Sequence, residues 1–230
     1  MTHGLLQDAH QRHGARIFDK TEVTKIRQEA NGVVLQTAYG PTIEARKLVI
    51  ASGYESQRYL NRTVNQLHST YALVSEPYDT ATLWHENALI WETARPYLYL
   101  RTTRDHRILV GGRDEKFQNP ARRDPLLTRK SKELTRDFEK LFPDLAPLRV
   151  DFSWAGTFAG TEDDLPYIGS VPELPHAVFA FGFGGNGITF SQIAAEIGKF
   201  TGCVKPLIKD LDIVSWQGQD KKDGFFQSAL

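Results

Sequence analysis

One stretch, residues 177–190, constrains the fold of this chain more than any other part of it. It opens with an apolar run, residues 177–181, which predicts a buried strand, and four glycines follow within six residues. Ile188, Ile193 and Ile197 then recur at helical spacing. The pattern predicts a strand, a glycine turn and a helix. Such a turn lets backbone approach a ligand closely, and the free N–H groups of the first helical turn favour an electron-rich or anionic group.

Three interpretations of this stretch remain open from the residues alone. Gly182, Gly184 and Gly187 match the spacing G-x-G-x-x-G of a dinucleotide-binding turn, which also needs a following parallel strand and an acidic residue about 20 positions on. Asp210 and Asp212 lie near that distance, but the surrounding segment is charged and leaves no room for a doubly wound domain. The second interpretation is a purely structural turn. The third is a loop that meets the redox ring of a flavin.

Composition narrows the class of protein. The 230 residues suit one large domain or two small ones, and 40% hydrophobic with 24% charged residues is typical of a soluble globular protein. Lys plus Arg and Asp plus Glu both number 28, and this balance argues against a nucleic-acid partner. The single cysteine, Cys203, excludes an internal disulfide and favours a reducing compartment, so we expect a cytoplasmic protein. Neither a transmembrane segment nor a signal peptide is predicted.

The first third of the chain predicts a short helix followed by strands. Residues 4–13 have helical spacing, and Gly14 is a typical helix stop. Asn31 and Gly32 predict a hairpin turn within a three-stranded meander. Residues 47–53 are continuously apolar and end in small residues, which predicts a strand buried on both faces whose carboxyl end allows a bulky ligand to approach.

The middle of the chain predicts an antiparallel sheet and one long helix. Strand patterns recur through residues 68–112, and in one of them Tyr97, Tyr99 and Arg101 alternate with leucines, which gives the sheet an aromatic and basic face. Residues 124–141 predict a helix. A strand over 149–158 and a loop over 161–169 lead to the central stretch. The fold class is therefore α/β to α+β.

Four segments, in order along the chain, match motifs of one known family: residues 14–23, 48–53, 163–169 and 182–189. Together they resemble the FAD-dependent oxidoreductases of the D-amino-acid oxidase superfamily, which includes glycine, sarcosine and γ-glutamylputrescine oxidases. The resemblance covers nearly the whole chain. It implies a partial FAD-binding domain plus an antiparallel β-sheet substrate-binding domain of the D-amino-acid oxidase type.

The resemblance also implies FAD as the cofactor and assigns residues to it. A valine backbone contacts the adenine, small residues end the strand beside the flavin, and loop N–H groups contact the pyrimidine side of the ring. The matching positions in this chain are Val23, Ala51, Gly53, Gly184, Gly185, Asn186, Gly187 and Ile188. The implied domains are a partial FAD-binding domain (1–62), a substrate-binding sheet with its helix (63–150), a segment that completes the FAD-binding domain (151–217) and a flexible tail (218–230).

Three departures from the family pattern affect these expectations. The N-terminal βαβ unit with its pyrophosphate site has no counterpart, so we expect a missing N-terminal segment or a separate chain to supply the FAD phosphate site. Phe158 stands where the family often has an arginine that holds the substrate carboxylate, which puts a simple glycine-type clamp in doubt. Asp164 stands where the family commonly has glycine.

The candidate substrate-side residues are Arg95, Tyr97, Tyr99 and Phe158, with Arg101 a weaker candidate. An arginine can hold a carboxylate with two hydrogen bonds, and tyrosines add hydroxyls and flat walls. The alternative is a solvated sheet face on which arginine stems pack against tyrosine rings. No metal-ligand spacing occurs among the histidines, so no metal is predicted. For several other residues a structural role is the simpler explanation. These residues are Trp154, Asp163, Cys203, His68, His85, His106 and His176.

The sequence therefore predicts an enzyme that transfers a hydride to FAD and oxidises a C–N bond of a small-molecule amine or amino acid to an imine. Two alternatives remain. The chain is either a fragment without flavin that folds alone or with a partner, or a nucleotide-binding module that uses residues 182–187 as a true fingerprint.

Overall fold

The computed structural model describes residues 1–79, 83–94, 96–117, 119–200 and 212–214. The chain divides into two compact units, one formed by Met1–Asn65 with Ala159–Leu230 and the other by Gln66–Phe158. We call them the first and the second unit. Arg95, Cys203 and the tail predicted for 218–230 lie outside the described residues.

The regular elements are numbered here in chain order. The helices are α1 (Thr2–His13), α2 (Pro120–Arg123), α3 (Leu127–Leu141) and α4 (Gly187–Phe200). The strands are β1 (Arg16–Phe18), β2 (Val23–Glu29), β3 (Gly32–Thr37), β4 (Thr42–Ala45), β5 (Leu48–Ile50), β6 (Gln66–Ser75), β7 (Ile90–Trp91), β8 (Leu98–Thr102), β9 (Ile108–Glu115), β10 (Val150–Gly160), β11 (Tyr167–Val171), β12 (Leu174–Phe181) and β13 (Asp212–Val214).

The N-terminal part of the first unit follows the local sequence signals. Gly14 adopts the left-handed conformation (φ 69°) and its N–H bonds the carbonyl of His10, which ends α1 as predicted. Strands β2, β3 and β4 form the predicted antiparallel meander. Gly32 is required at the start of β3, because a Cβ there would overlap the carbonyl oxygen of Ala45.

The second sheet of the first unit has the order β11-β12-β5. Strands β12 and β5 are parallel, with Phe179 opposite Ile50, and both side chains are buried in the core of this unit. The prediction that β5 is buried on both faces is wrong, because Val49 is 40% exposed. Strand β11 was predicted as part of a loop, but it pairs antiparallel with β12.

The second unit is a five-stranded antiparallel sheet, in the order β10-β6-β9-β8-β7, with α3 packed on one face. The side chains that join α3 to the sheet are buried and apolar. They include Tyr71, Leu73, Leu98, Leu100, Ile108, Val110, Leu134 and Phe138. Since Leu98 and Leu100 point to α3, Tyr99 and Arg101 point to the other face, as predicted. We call this other face, which carries Trp91, Tyr97 and Tyr99, the aromatic face.

The long helix begins later than predicted. Residues 120–126 form the short α2 and a 3₁₀ turn (Asp124–Leu126), and α3 starts only at Leu127. Pro125 lies in that turn and has no N–H for helical hydrogen bonding. The Asn119 side chain begins α2 by accepting a hydrogen bond from the N–H of Ala121 (2.9 Å).

Strand β13 is parallel to β1, and this pairing bears on the dinucleotide fingerprint. The fingerprint requires a strand after α4 that runs beside β12. In the described residues, β12 is flanked by β11 and β5 instead. The fold therefore gives no support to the nucleotide-binding alternative.

Candidate functional site

The glycine-rich turn after β12 is a compact bend held by its own backbone. Gly182 and Gly184 have positive φ angles (76° and 52°), which glycine adopts without strain. The Gly184 N–H donates to the carbonyl of Ala159 (3.1 Å), and the Asn186 N–H donates to that of Phe183 (3.0 Å). We refer to residues 182–189 as the glycine loop. The two hydrogen bonds and the two left-handed glycines hold the bend.

Several N–H groups of the glycine loop have no acceptor within the described residues. They belong to Gly185, Gly187, Ile188 and Thr189, and the first helical hydrogen bond of α4 runs from the Phe190 N–H to the Asn186 carbonyl (3.0 Å). Unpaired donors at a helix N-terminus carry partial positive charge. The loop therefore presents a cluster of donors suited to a ligand with electron-rich oxygen or nitrogen atoms.

The end of β5 lies at the same edge of the sheet as the glycine loop. Because β5 and β12 are parallel and Ile50 is opposite Phe179, residues 51–53 and the loop both follow the carboxyl ends of neighbouring strands. Ala51 is exposed there, and Gly53 has a positive φ (58°) and begins a 3₁₀ helix. The structure thus brings together two of the segments that the sequence assigned to the flavin.

Free space surrounds both segments. A Cβ built on Gly53, Gly184, Gly185 or Gly187 would have no other atom of the described chain within 4 Å. Ile188 is 71% exposed. The donor groups and the open space fit a flat, polar-edged ring such as the isoalloxazine of FAD, and the residues that would hold it are those of the glycine loop with Ala51 and Gly53.

Val23 lies apart from this pair of segments. It is the half-buried first residue of β2, opposite Thr37 in the meander sheet. Its assignment to the adenine of FAD stays a prediction.

The loop before β11 explains one departure from the family pattern. Asp164 has a positive φ (57°), a conformation that glycine adopts freely and aspartate tolerates. Asp163 accepts a hydrogen bond from the Leu165 N–H (3.1 Å), which agrees with the structural role expected for this carboxylate. Aspartate can therefore replace the family's glycine without changing the path of the loop.

The described substrate-side candidates of the second unit take part in two separate sets of ring contacts. The Tyr97 ring lies 6.1 Å from that of Tyr99 and 6.4 Å from that of Trp91. Phe158 forms an edge contact with His68 at 5.4 Å. Trp91 and His68 make ring contacts with these candidates that the sequence pattern did not indicate.

Among the substrate-side candidates, Tyr99 has a phenol whose pKa is changed by its surroundings. It is half-buried, and burial raises the pKa of its phenol, with a further increase from the negative charge of Asp114. The Thr70 hydroxyl and the Arg101 guanidinium lower the pKa of Tyr99. Thr70 lies near enough for this effect, although its Oγ1 makes no hydrogen bond of normal geometry within the described residues. Tyr99 therefore stays protonated at neutral pH and can donate a hydrogen bond.

A cavity of about 210 Å³ lies in the second unit beside Tyr97 and Leu98, where they meet the end of α3. Its charged lining includes Arg113 and Asp137, which already pair with each other (2.7 Å). Tyr97 is thus shared between this cavity and the aromatic face.

Within the described part of the chain, no helix has an apolar stretch long enough to cross a bilayer. No three His, Cys, Asp or Glu side chains among the same residues are grouped so that they could hold a metal ion.

Comparison with known proteins decides the family. The profile of the family described as "FAD dependent oxidoreductase" matches residues 1–198. The chain belongs to the FAD-dependent oxidoreductase family. The resemblance inferred from its motifs is thereby confirmed, and FAD is the cofactor of this family.

Individual members of the FAD-dependent oxidoreductase family show how much of such a protein this chain represents. Glycine oxidase of Bacillus licheniformis is 29% identical over 187 residues, which cover 80% of this chain and 48% of that protein. Gamma-glutamylputrescine oxidoreductase of Escherichia coli is 26% identical over 204 residues, 83% of this chain and 44% of that protein. The chain thus spans about half the length of the curated relatives it matches.

Solved structures confirm the fold class. L-proline dehydrogenase from P. horikoshii superposes with a TM-score of 0.64 at 22% sequence identity, over 81% of this chain and 51% of that one. The predicted α/β to α+β fold of the D-amino-acid oxidase type is therefore correct.

Proposed function

We propose that this chain forms part of an FAD-dependent oxidoreductase that oxidises a C–N bond of an amine or amino acid to an imine. The first unit serves as a flavin-binding domain and the second unit as a substrate-binding domain. The observation that carries the proposal is the meeting of the glycine loop, with its unpaired N–H groups, and residues 51–53 at one edge of a parallel strand pair. FAD, when bound, supplies the hydride acceptor.

The residues of this chain would bind and orient the flavin and the substrate, and would polarise the reacting groups. The N–H groups of Gly185, Gly187 and Ile188 are suited to stabilise negative charge on a ring edge, as an oxyanion hole does, and one such donor is worth about 3 kcal/mol in other enzymes. For the substrate, we assign Tyr97, Tyr99 and Phe158 to the walls of the site and the Tyr99 hydroxyl to the role of hydrogen-bond donor; the ring contacts of Tyr97 with Tyr99 support this assignment. Arg95 stays a candidate for binding a carboxylate.

Support for the substrate class comes from the relatives. Two of them are named for glycine and for gamma-glutamylputrescine, an amino acid and an amine. Phe158 carries no charge to hold a carboxylate, so the proposed substrate is not limited to glycine-like amino acids. The cytoplasmic location stays a prediction.

We also propose that residues outside this chain, either a preceding segment or a separate chain, hold the phosphates of FAD. The chain spans about half of its relatives' length, and β5 has a strand partner on only one side among the described residues. Three residues of α4 are also exposed, namely Ile188, Ile193 and Ile197. Isoleucine side chains are usually buried in folded proteins. The 230 residues alone should therefore bind FAD weakly and remain colourless.

The decisive experiment follows flavin absorbance under anaerobic conditions in the FAD-loaded protein, which is this chain together with the residues that hold the FAD phosphates. We expect one or more compounds from a panel of amines and amino acids to bleach the flavin band near its visible maximum. A protein that binds FAD but is bleached by no member of the panel would contradict the proposed reaction. A protein that binds NAD tightly and no FAD would contradict the proposed cofactor.

A substitution tests the role of the glycine loop. Gly185 has open space around its Cβ position, so Gly185→Val should leave the fold intact and fill the space proposed for the flavin. We expect loss of FAD binding or of flavin reduction. Gly4→Val is the control, because Gly4 also has open space but lies on α1. Normal turnover in the Gly185→Val variant would refute the role of the loop.

A further inference from the structure

A β-bulge in the second unit turns one carboxylate onto the aromatic face. Strands β6 and β9 pair with Tyr71 opposite Gly112 and with Ser69 opposite Glu115, so β9 contains one extra residue in this interval. Arg113 lies within the bulge and has a positive φ (57°). Bulges of this kind redirect side chains and are frequent beside active sites.

The contacts on either side of the bulge define where Asp114 points. Arg113 donates to Asp137 of α3 (2.7 Å), and Glu115 accepts from Lys130 of α3 (2.6 Å). Both neighbours of Asp114 therefore face α3. Since successive side chains of a strand alternate, Asp114 faces the aromatic side, where its charge acts on Tyr99.

Three polar groups meet on this face and leave hydrogen-bonding capacity unused. Asp114 Oδ1 and Thr70 Oγ1 are buried, yet neither has a hydrogen-bond partner among the described residues. The Tyr99 hydroxyl lies over Gly111, on the strand that carries Asp114, and both Asp114 and Thr70 shift the pKa of Tyr99. We call Thr70, Tyr99 and Asp114 the Asp114 cluster. A buried polar atom without a partner costs about 1–3 kcal/mol, so such an atom calls for a functional explanation or a bound group.

The hydrogen-bonding groups of the Asp114 cluster indicate which kind of ligand would bind there. An ionised carboxylate only accepts hydrogen bonds, and each hydroxyl can accept as well. The complementary ligand is a donor with positive charge and several N–H groups, which describes an alkylammonium ion. Arg101 lies on the same face but forms no ion pair with Asp114 among the described residues, so the carboxylate charge is available.

We propose that the Asp114 cluster binds the non-reacting ammonium group of a substrate with two nitrogen centres, such as a diamine or a basic amino acid. The nitrogen that becomes an imine must contribute a lone pair to the new double bond, and an ammonium nitrogen has none. The group held by Asp114 is therefore a second amino group, distant from the C–N bond that is oxidised. This inference rests on the proposed function, because it assigns the aromatic face to the substrate.

The test measures binding rather than turnover. Linear α,ω-diamines of two to six carbons and the monoamines of the same lengths are titrated calorimetrically into the FAD-loaded protein without oxygen. We expect the best diamine to bind about tenfold or more tightly than its monoamine, which is the typical effect of one charge-assisted hydrogen bond. Asp114→Asn should reduce that ratio to about one and leave monoamine affinity within about twofold.

Two variants complete the design. Thr70→Val removes a second acceptor without changing the charge, and it should reduce the ratio of diamine to monoamine affinity about threefold. This variant tests the ammonium site if Asp114→Asn does not fold. Asp144→Asn is the matched control, since Asp144 is an exposed carboxylate outside the cluster. It should leave the ratio unchanged.

The outcomes separate this inference from the proposed function. A diamine preference that persists in Asp114→Asn, or the absence of any preference in the natural protein, would overturn the ammonium site. An equal loss of affinity for both amine series would overturn it too, because Asp114 would then act on the reacting amine. If no amine bleaches the flavin while the diamine preference depends on Asp114, the ammonium site stands and the proposed reaction fails.

Discussion

The ring of Tyr99 lies across Gly111, the residue directly opposite it in the sheet, so closely that a Cβ on Gly111 would overlap the ring. Ala72 and Trp91 extend this row on the neighbouring strands, since Ala72 is opposite Gly111 and Trp91 is opposite Tyr99. A glycine in the middle of a strand is otherwise unfavourable. Here it allows the phenol ring to lie against the sheet, with its hydroxyl over Gly111 on the strand that carries Asp114.

Gly111→Ala should destabilise the second unit and displace Tyr99. We expect a loss of about 1–3 kcal/mol in the free energy of unfolding, measured by chemical denaturation, because the new methyl group overlaps the ring. In a Tyr99→Ala background the same substitution should cost much less. Gly160→Ala, which has open space around the new methyl group, is the control and should change stability by less than about 0.5 kcal/mol. Equal costs of Gly111→Ala in both backgrounds would show that the ring is not the cause.

The glycines of the glycine loop should differ from one another in the same assay. Gly182 combines a positive φ with a close neighbour, because its Cβ would lie 2.8 Å from Cγ2 of Thr161. Gly182→Ala should therefore cost more than about 1 kcal/mol, whereas Gly185→Ala should cost less than about 0.5 kcal/mol.

The contact with Thr161 can be separated from the backbone strain. Thr161→Ser removes Cγ2 and keeps a hydroxyl that can donate to the Leu165 carbonyl, as Thr161 does (2.8 Å). In the Thr161→Ser background, Gly182→Ala should reduce the free energy of unfolding by less than it does in the natural protein. Similar stability of the Gly182 and Gly185 variants would contradict this account of the loop.

Local signals in the sequence were sufficient for the elements that local interactions determine. Gly14 ends α1, and Asn31-Gly32 closes the meander, because a helix stop and a hairpin turn depend on neighbouring residues only. The exposure of Val49 could not be predicted, since an apolar run does not indicate how many strands flank it. Strand β11 was missed because Pro166 and Gly169 are typical of loops.

The candidate site also contains residues that the sequence predicts and residues that it does not. The glycine loop was predicted as a unit because its glycines are contiguous, and its position next to residues 51–53 follows from one parallel strand pair. Asp114 was missed because simple alternation cannot reveal the bulge at Arg113, which depends on the pairing of β6 with β9. The orientation of Asp114 thus depends on long-range strand pairing, which the local pattern does not reveal.

The packing of α3 gives a further prediction. Leu134 is fully buried against the sheet, while Leu141 on the same helix is 53% exposed. Leu134→Ala should cost about 2–5 kcal/mol, since it removes buried methyl groups and leaves a cavity. Leu141→Ala, the matched control, should cost less than about 1 kcal/mol. Thermal or chemical unfolding of the two variants gives the comparison, and equal losses would contradict the assigned core face of α3.

The last prediction concerns pH and the turn between β8 and β9. Asp105 accepts hydrogen bonds from the Thr103 hydroxyl (2.6 Å) and from Arg107 Nε (2.7 Å), and these bonds lower the pKa of Asp105 below its ordinary value. Both stabilise the ionised carboxylate of the folded chain. The stabilisation is therefore fully present above the ordinary aspartate pKa of about 3.9 and is lost as the pH falls through the lower pKa of the folded state.

Asp105→Asn should accordingly reduce the free energy of unfolding at pH 6 and have a progressively smaller effect as the pH approaches 3. Chemical denaturation of the variant and the natural protein at several pH values in this window measures the difference. Asp144→Asn, at an exposed carboxylate, serves as the comparison for removing one negative charge. A destabilisation by Asp105→Asn that is the same at pH 6 and pH 3 would mean that the ionised carboxylate contributes nothing and that only the geometry of the turn matters.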